Sequence, residues 1–234
     1  MNIQDIQDIQ KTTTILFDFD GVIADTENGR YEAYCEIFEE YGYDLRGRCV
    51  MIDLMGFTGD GFMKKFFPEI PTEHVKEMVR KRQKHYMEHL DKFCKPFPGM
   101  KQTIADLKQK GYYLAITTAN ATAVVKQLLE AVGAAEYFDA LCGKEICEDP
   151  VTKVKEYSLV PAIINKTIDE CMVIEDSPVG VAGAKRGGFR CIAFDHYENP
   201  AIREQADAIV RDFNELRGLF GLPEINLEQA NGLD

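Results

Sequence analysis

A chain of 234 residues, 45% hydrophobic and 28% charged, can build one large domain or a core with a smaller accessory domain. Its net charge of −12 argues against nucleic acid or an anionic membrane as a general partner. A phosphorylated small molecule stays open, because a metal ion and a few lysines reverse the field locally. No apolar run approaches the ~20 residues of a membrane span, and Met1-Asn2-Ile3-Gln4-Asp5 carries neither a basic nor an apolar leader. The seven cysteines are odd in number and form no C-x-x-C pair. Cys142, Cys171 and Cys191 lie in or beside apolar runs, where thiols act as small hydrophobes, so a reduced, cytoplasmic setting is expected.

The chain opens with a polar Ile-Gln-Asp repetition and then a strand at Thr13–Phe19. Further strand patterns fall at Tyr112–Thr118, Ala140–Cys142, Cys171–Glu175, Arg190–Phe194 and Ala208–Val210. Helical patterns lie between most of them, at Met100–Lys110, Ala121–Ala131, Lys155–Ile164, Val179–Arg186 and Asp212–Phe220. Such alternation predicts an α/β fold: a Rossmann-like, mostly parallel sheet covered on both faces. The stretch from Ala24 to Lys95 breaks the alternation. It carries helical patterns near Glu27–Tyr41, Gly61–Phe67 and Thr72–Leu90, and no convincing strand. Residues 25–96 therefore read as an inserted helical domain, with residues 1–24 and 97–234 as the α/β core. Lys95-Pro96-Phe97-Pro98-Gly99 reads as a stiff re-entry linker, and Pro223–Asp234 as a loosely packed acidic tail.

The run Ile15-Leu16-Phe17-Asp18-Phe19-Asp20-Gly21-Val22 carries most of the chemical information. In a strand, residues i and i+2 point the same way, so Asp18 and Asp20 would crowd two negative charges. Such crowding raises a pKa or demands a cation, and at a strand's C-terminal end it marks a ligand site. The bland alternative is a solvated Asp-Gly turn. Two further strand ends are polar. Leu114–Thr118 ends in hydroxyls and runs into Ala119 and Asn120, with Asn120 or Thr122 able to cap the next helix and leave an anion seat. Met172-Val173-Ile174-Glu175-Asp176-Ser177-Pro178 ends in two acids, then a Ser cap with Pro at the first helical position. Carboxylates there, near Asp18 and Asp20, make an all-oxygen set suited to Mg²⁺. Lys153 and Lys155 are placed to bring positive charge to it; an ordinary capped turn and a solvated lysine pair are the plainer readings.

This ordered set resembles the haloacid dehalogenase superfamily of phosphotransferases: Asp18-x-Asp20-Gly-Val, Thr118, Lys153/Lys155 and Glu175-Asp176-Ser177. The helical insert is similar to the cap of its first subfamily, which includes phosphoglycolate phosphatase-like and β-phosphoglucomutase-like enzymes. The resemblance implies a phosphatase for a small phosphorylated metabolite, monomeric or a weak homodimer. Asp18 would attack phosphorus to give an aspartyl-phosphate, and Asp20 would protonate the leaving oxygen and then activate water. Thr118 and backbone N–H groups around Ala119 and Asn120 would hold phosphoryl oxygens, and a lysine would neutralise charge. Mg²⁺ would be held by Asp18, Asp20 (through its backbone carbonyl), Asp176 and Glu175. Arg30 and Thr58 are candidate cap contacts to substrate.

The chain departs from the family pattern at two places. Its lysine motif reads Lys153-Val154-Lys155-Glu156-Tyr157; the preceding Val151-Thr152 favours Lys155 as the match, while the distance to the tyrosine leaves Lys153 open. Arg30 stands where the mutase branch has histidine, and Gly59 where it has arginine. Both argue against the alternative reading as a sugar-phosphate mutase; a non-catalytic phosphometabolite-binding protein is the rival from another class. His85 and His89, four apart in a basic stretch, read as a solvated helix face rather than a metal pair. Gly180-x-x-Gly183 lies inside a helical pattern and reads as close packing, not as a dinucleotide fingerprint.

Overall fold

Thr14–Phe17 is buried at every position and forms β1, a central strand of a six-stranded parallel sheet. The structure is a computed structural model that describes residues 11–54, 59–147, 153–196, 198 and 200–229, with the side chains of Lys155 and Glu156 excepted. After β1 come the helices α1 (Thr26–Glu40), α2 (Met51–Leu54), α3 (Gly59–Phe66), α4 (Thr72–Glu88) and α5 (Leu90–Phe93). Then strands and helices alternate: α6 (Met100–Gln109), β2 (Tyr113–Thr117), α7 (Thr122–Ala131), β3 (Ala140–Cys142), α8 (Lys153–Ile163) and β4 (Cys171–Glu175). The chain goes on through α9 (Pro178–Arg186), β5 (Arg190–Phe194), α10 (Pro200–Arg203), β6 (Ala208–Val210) and α11 (Phe213–Leu219).

The sheet order is β3-β2-β1-β4-β5-β6. Every neighbouring pair is parallel, with Leu16 level with Ala115 on one side and with Val173 on the other. Strands buried on both faces read as unbroken apolar runs, which is why their sequences were legible. On one face Leu16, Ala115, Val173 and Cys191 pack with Tyr157 and Val160 of α8 and with Val181 and Ala184 of α9. Residues of opposite phase, Ile15, Phe17, Ile116 and Ile174, are also fully buried. On that side the Phe194 ring meets Phe213 of α11 at 5.0 Å. From β1 the chain builds outward to β2 and β3, then returns to place β4 on the other flank. That reversal is where open α/β sheets bind ligands, beyond the carboxyl ends of the strands.

The chain divides into two compact units: residues up to Ala24 together with those from Pro96, and Asp25–Lys95. The second has a core of its own around Tyr34, Phe38, Phe62, Met63, Phe67 and Met78. Phe38 lies 4.8 Å from the Phe67 ring and 6.0 Å from Phe62. Asp25 caps α1 by accepting from the Asn28 N–H at 3.2 Å. Six of the seven cysteines are buried. Among the described residues no helix is long and apolar enough to cross a membrane.

Two sequence expectations need correction. β1 ends at Phe17 rather than Phe19. The Asp18 N–H still reaches the Ile174 carbonyl at 2.9 Å, but the chain then turns, with the Ile23 N–H returning to the Phe19 carbonyl at 2.9 Å. Gly21, at φ +71°, lies inside that turn. Second, the segment from Pro223 to Gln229 is tied down. Asn214 and Ile225 exchange two hydrogen bonds of 2.9 Å, and the Arg217 Nε–H donates to the Pro223 carbonyl at 2.6 Å. Arg217 is buried, and its guanidinium also pairs with Asp106 at 2.7 Å. A polar composition misleads here because Asn214 and the buried Arg217 satisfy the backbone at Ile225 and Pro223. Arg217→Ala leaves Asp106 with only Gln102 and releases the Pro223 carbonyl, and should cost about 2 kcal/mol or more in a urea unfolding titration.

Candidate active site

Strand ends bring the acids together. Asp18 follows β1, Glu175 ends β4 and Asp176 follows it; the three offer oxygens that all lie within 4.8 Å of one another. Lys153, the first residue of α8, reaches into this group: its Nζ donates to Asp18 Oδ1 at 2.7 Å and lies 3.0 Å from Glu175 Oε1. Glu175 is completely buried and spends its carboxylate on the protein. Oε1 also accepts from the Tyr157 hydroxyl at 3.2 Å, and Oε2 from the Ser177 N–H at 2.8 Å and hydroxyl at 2.9 Å. Ser177 in turn caps α9 by accepting from the Gly180 N–H at 3.0 Å. One serine therefore both starts the helix and fixes the acid.

Small residues make room for these groups. A Cβ on Gly180 would stand 1.7 Å from Glu175 Oε1, and one on Gly183 would stand 2.7 Å from Lys153 Cβ. A Cβ on Gly21 would meet Asp176 Oδ2 at 1.8 Å, so that site needs glycine for space as well as for its left-handed backbone. His196 supports the same loop. Its Nε2 is 2.8 Å from the Gly21 carbonyl, and its ring stacks between Phe97 and Phe194 at 4.3 and 5.2 Å.

Burial pushes the Asp18 carboxyl well above the usual carboxylate range; Lys153 pulls it back, and the Glu175 and Asp20 charges push it further up. Asp176 is raised in the same way by burial, then by Glu175, Asp18 and Asp20. Buried carboxylates that resist ionising together are what a hard divalent cation relieves, and an all-oxygen donor set fits Mg²⁺.

Asp20 stands apart from the three-acid group. Its Oδ2 accepts from Asn120 Nδ2 at 2.6 Å. The expected strand placement of the two carboxylates fails, because β1 ends at Phe17 and the chain turns after it, but the expected crowding holds, since the Asp20 charge still pushes Asp18 up. Thr118 is buried at the end of β2, with its hydroxyl accepting from the Asn120 N–H at 3.2 Å. Ala119 is exposed. The expected cap of the following helix is also corrected. The N-cap of α7 is Ala121, without a side-chain bond. The Thr122 N–H instead donates to the Glu145 carboxylate at 3.1 Å, and the hydroxyl donates at 2.9 Å. Those bonds hold Glu145 below the usual carboxylate range. An acid from the loop after β3 has taken part of the expected anion seat.

The remaining candidates are placed as follows. Lys155 heads α8 beside Lys153, but its side chain lies outside the described residues, as does Thr58. Arg30 lies on α1 and pairs with Glu27. His85 Nε2 is 2.7 Å from Glu36, and His89 Nδ1 is 3.0 Å from the His85 carbonyl. Tyr157, His196 and Glu145 carry no motif in the sequence. Of these only Tyr157, one helical turn after Lys153, offered a signal.

A model of haloacid dehalogenase-like hydrolases matches residues 15–194. The chain belongs to that family. Among the similar proteins is the pyrophosphatase PpaX of Halalkalibacterium halodurans, 26% identical over 91% of this chain and 94% of its own length. The chloroplastic protein Suppressor of Quenching 1 of Arabidopsis thaliana is 28% identical over 86% of this chain, which spans only 20% of that longer protein. A haloacid dehalogenase-like family hydrolase from Streptococcus pneumoniae shares the fold, with TM-score 0.74, 20% identity, and coverage of 90% of this chain and 99% of that one. This haloacid dehalogenase-like hydrolase is thus an enzyme, with three carboxylates gathered at the ends of β1 and β4. Gly180→Ala forces a methyl group into a carboxylate held by three neighbours. It should lower the thermal midpoint, at a cost of about 2 kcal/mol or more, and cut activity, as read by calorimetry and turnover on one sample.

Proposed function

We propose that this hydrolase is a Mg²⁺-dependent phosphatase that cleaves a small phosphorylated metabolite through an aspartyl-phosphate. The observation that carries the reading is the Lys153 ammonium 2.7 Å from Asp18 Oδ1, which opposes the effect of burial on that carboxylate and aims it. An oxygen of Asp18 attacks phosphorus as the bond to the leaving oxygen breaks. Asp20 gives that oxygen its proton. Water then attacks the phosphoryl group, losing a proton to Asp20, and the Asp18 carboxylate departs. Lys153 and the N–H groups after Thr118 balance the charge that develops on the phosphoryl oxygens. Asp18, Asp176 and the Asp20 carbonyl would hold Mg²⁺, with Glu175 behind them. Bound there, the ion supplies electrostatic relief to the clustered acids and to the phosphoryl oxygens.

The name of the Halalkalibacterium relative, a pyrophosphatase, supports phosphate ester or anhydride chemistry. The residues at Arg30 and Gly59 favour hydrolysis over the mutase alternative. Arg30 and Thr58 remain the proposed specificity contacts. Arg30→Ala should shift relative kcat/KM among metabolites more than it changes use of a minimal aryl phosphate.

Two measurements test the core of the reading. Asp18→Asn is near-isosteric but cannot form an acyl phosphate, so phosphate release should fall by at least about a thousandfold with the fold unchanged by circular dichroism. A variant keeping more than about a tenth of the activity would remove Asp18 as nucleophile. Mg²⁺ at about a hundred times its Kd should stabilise the wild type by ~2.7 kcal/mol, read as a rise in Tm, and Asp176→Asn should largely lose that rise. Full turnover in excess chelator would sink the metal assignment.

A further inference from the structure

We propose that Asn120 is a positioning residue for the proton-transferring Asp20, an inference that rests on the phosphatase reading above. Four contacts carry it. The Asn120 amide Nδ2 donates to Asp20 Oδ2 at 2.6 Å. The Asn120 N–H donates to the Thr118 hydroxyl at 3.2 Å, and Nδ2 lies 3.4 Å from the same oxygen. Its carbonyl accepts from the Lys144 N–H at 2.9 Å. Asn120 is thus held by β2's end and by the loop after β3 while its amide crosses to the loop after β1. The closeness of that second loop is built in: a Cβ on Gly143 would stand 2.7 Å from the Asn120 carbonyl oxygen and 2.5 Å from the Thr122 nitrogen.

The arrangement has a chemical consequence. A primary amide can donate through nitrogen but not through oxygen. With Nδ2 occupying Oδ2, that oxygen stays an acceptor whether or not Asp20 is protonated, and the exchangeable proton belongs on Oδ1. Asn120 therefore selects which oxygen of Asp20 gives its proton to the leaving group and takes one from water. It also ties Asp20 Oδ2 to the end of β2, and Asp20 is not one of the three acids, Asp18, Glu175 and Asp176, whose oxygens all lie within 4.8 Å of one another. An acid that drifted into that group would become a ligand and cease to transfer protons.

A substrate whose leaving group departs as a stable anion needs no proton, whereas an alkyl alkoxide does. The test compares kcat/KM for p-nitrophenyl phosphate and for glycerol 3-phosphate, in wild type and in Asn120→Ala, at saturating Mg²⁺. The parameter covers steps only up to loss of the leaving group. Positioning predicts a loss of about tenfold or more on the alkyl ester, against less than about threefold on the aryl ester. Asn120→Asp, similar in size but repelling Asp20, should show the same selective loss, and serves if Asn120→Ala does not fold. An equal loss on both esters, or none on either, overturns the proposal. If the wild type hydrolyses neither ester nor any other phosphomonoester in a metabolite panel, the phosphatase reading itself fails, a separate outcome.

Discussion

Crowded negative charge is the constraint on which the rest of this structure depends. Asp18, Glu175 and Asp176 offer oxygens within 4.8 Å of one another, and Asp18 and Glu175 are buried. At an effective dielectric of about 20, two like charges ~4 Å apart repel by about 4 kcal/mol, a sizeable part of a domain's net stability. Lys153 offsets part of this, since its ammonium lies within 3.0 Å of both Asp18 and Glu175. What it leaves uncompensated is negative charge, which a hard divalent cation would relieve. Exposed pairs such as Lys64–Asp60 and Arg211–Glu215 belong to a different energy scale, each contributing at most about 1 kcal/mol.

The fold is arranged to tolerate that charge. A parallel sheet sends the ends of β1, β2 and β4 to one edge, where backbone donors are available and side chains need not enter the core. Glu175 is the exception, a fully buried acid. It is stable there because Lys153, Tyr157 and Ser177 satisfy it, as a buried charge requires. Gly180 and Gly183 let α9 approach without displacing either Glu175 or Lys153. The helix start, the acid and the lysine are therefore one mechanical unit. Asp25–Lys95, by contrast, organises its own aromatic core around Phe38 and owes nothing to the sheet's strand ends for it.

The second acid, Asp20, shows how little separation a turn needs to create two chemical environments. Two residues along the chain from Asp18, it leaves the strand direction at the Phe19–Ala24 turn and finds an amide instead of an ammonium. One carboxylate is held against a cation, the other against a neutral donor. Such a pair can divide the labour of attack and proton transfer, which two equivalent acids cannot.

How much of this was legible beforehand follows from the range of the forces involved. Local constraints wrote themselves into the sequence. The apolar runs at Cys171–Glu175 and Arg190–Phe194 match their strands residue for residue, because burial on both faces leaves no polar interruption. The Ser177-Pro178 helix start is likewise local, a cap and a preset φ. The candidate acids could be named from the same stretches. Which partner each acid would find could not. Lys153 and Asp18 are 135 residues apart, and the neighbouring Lys155 looked the better match by its preceding residues. Asn120 and Asp20 are 100 apart, and Glu145 reaches Thr122 across 23 residues to take the place of a local cap. Periodicity and turn chemistry act over a few residues, so the sequence determined the order of strands and helices, the Ser177-Pro178 helix start and the identity of the acids. Only the tertiary structure decided which lysine, amide and hydroxyl meet them, because those contacts exist only once the sheet has brought distant strand ends within hydrogen-bond reach.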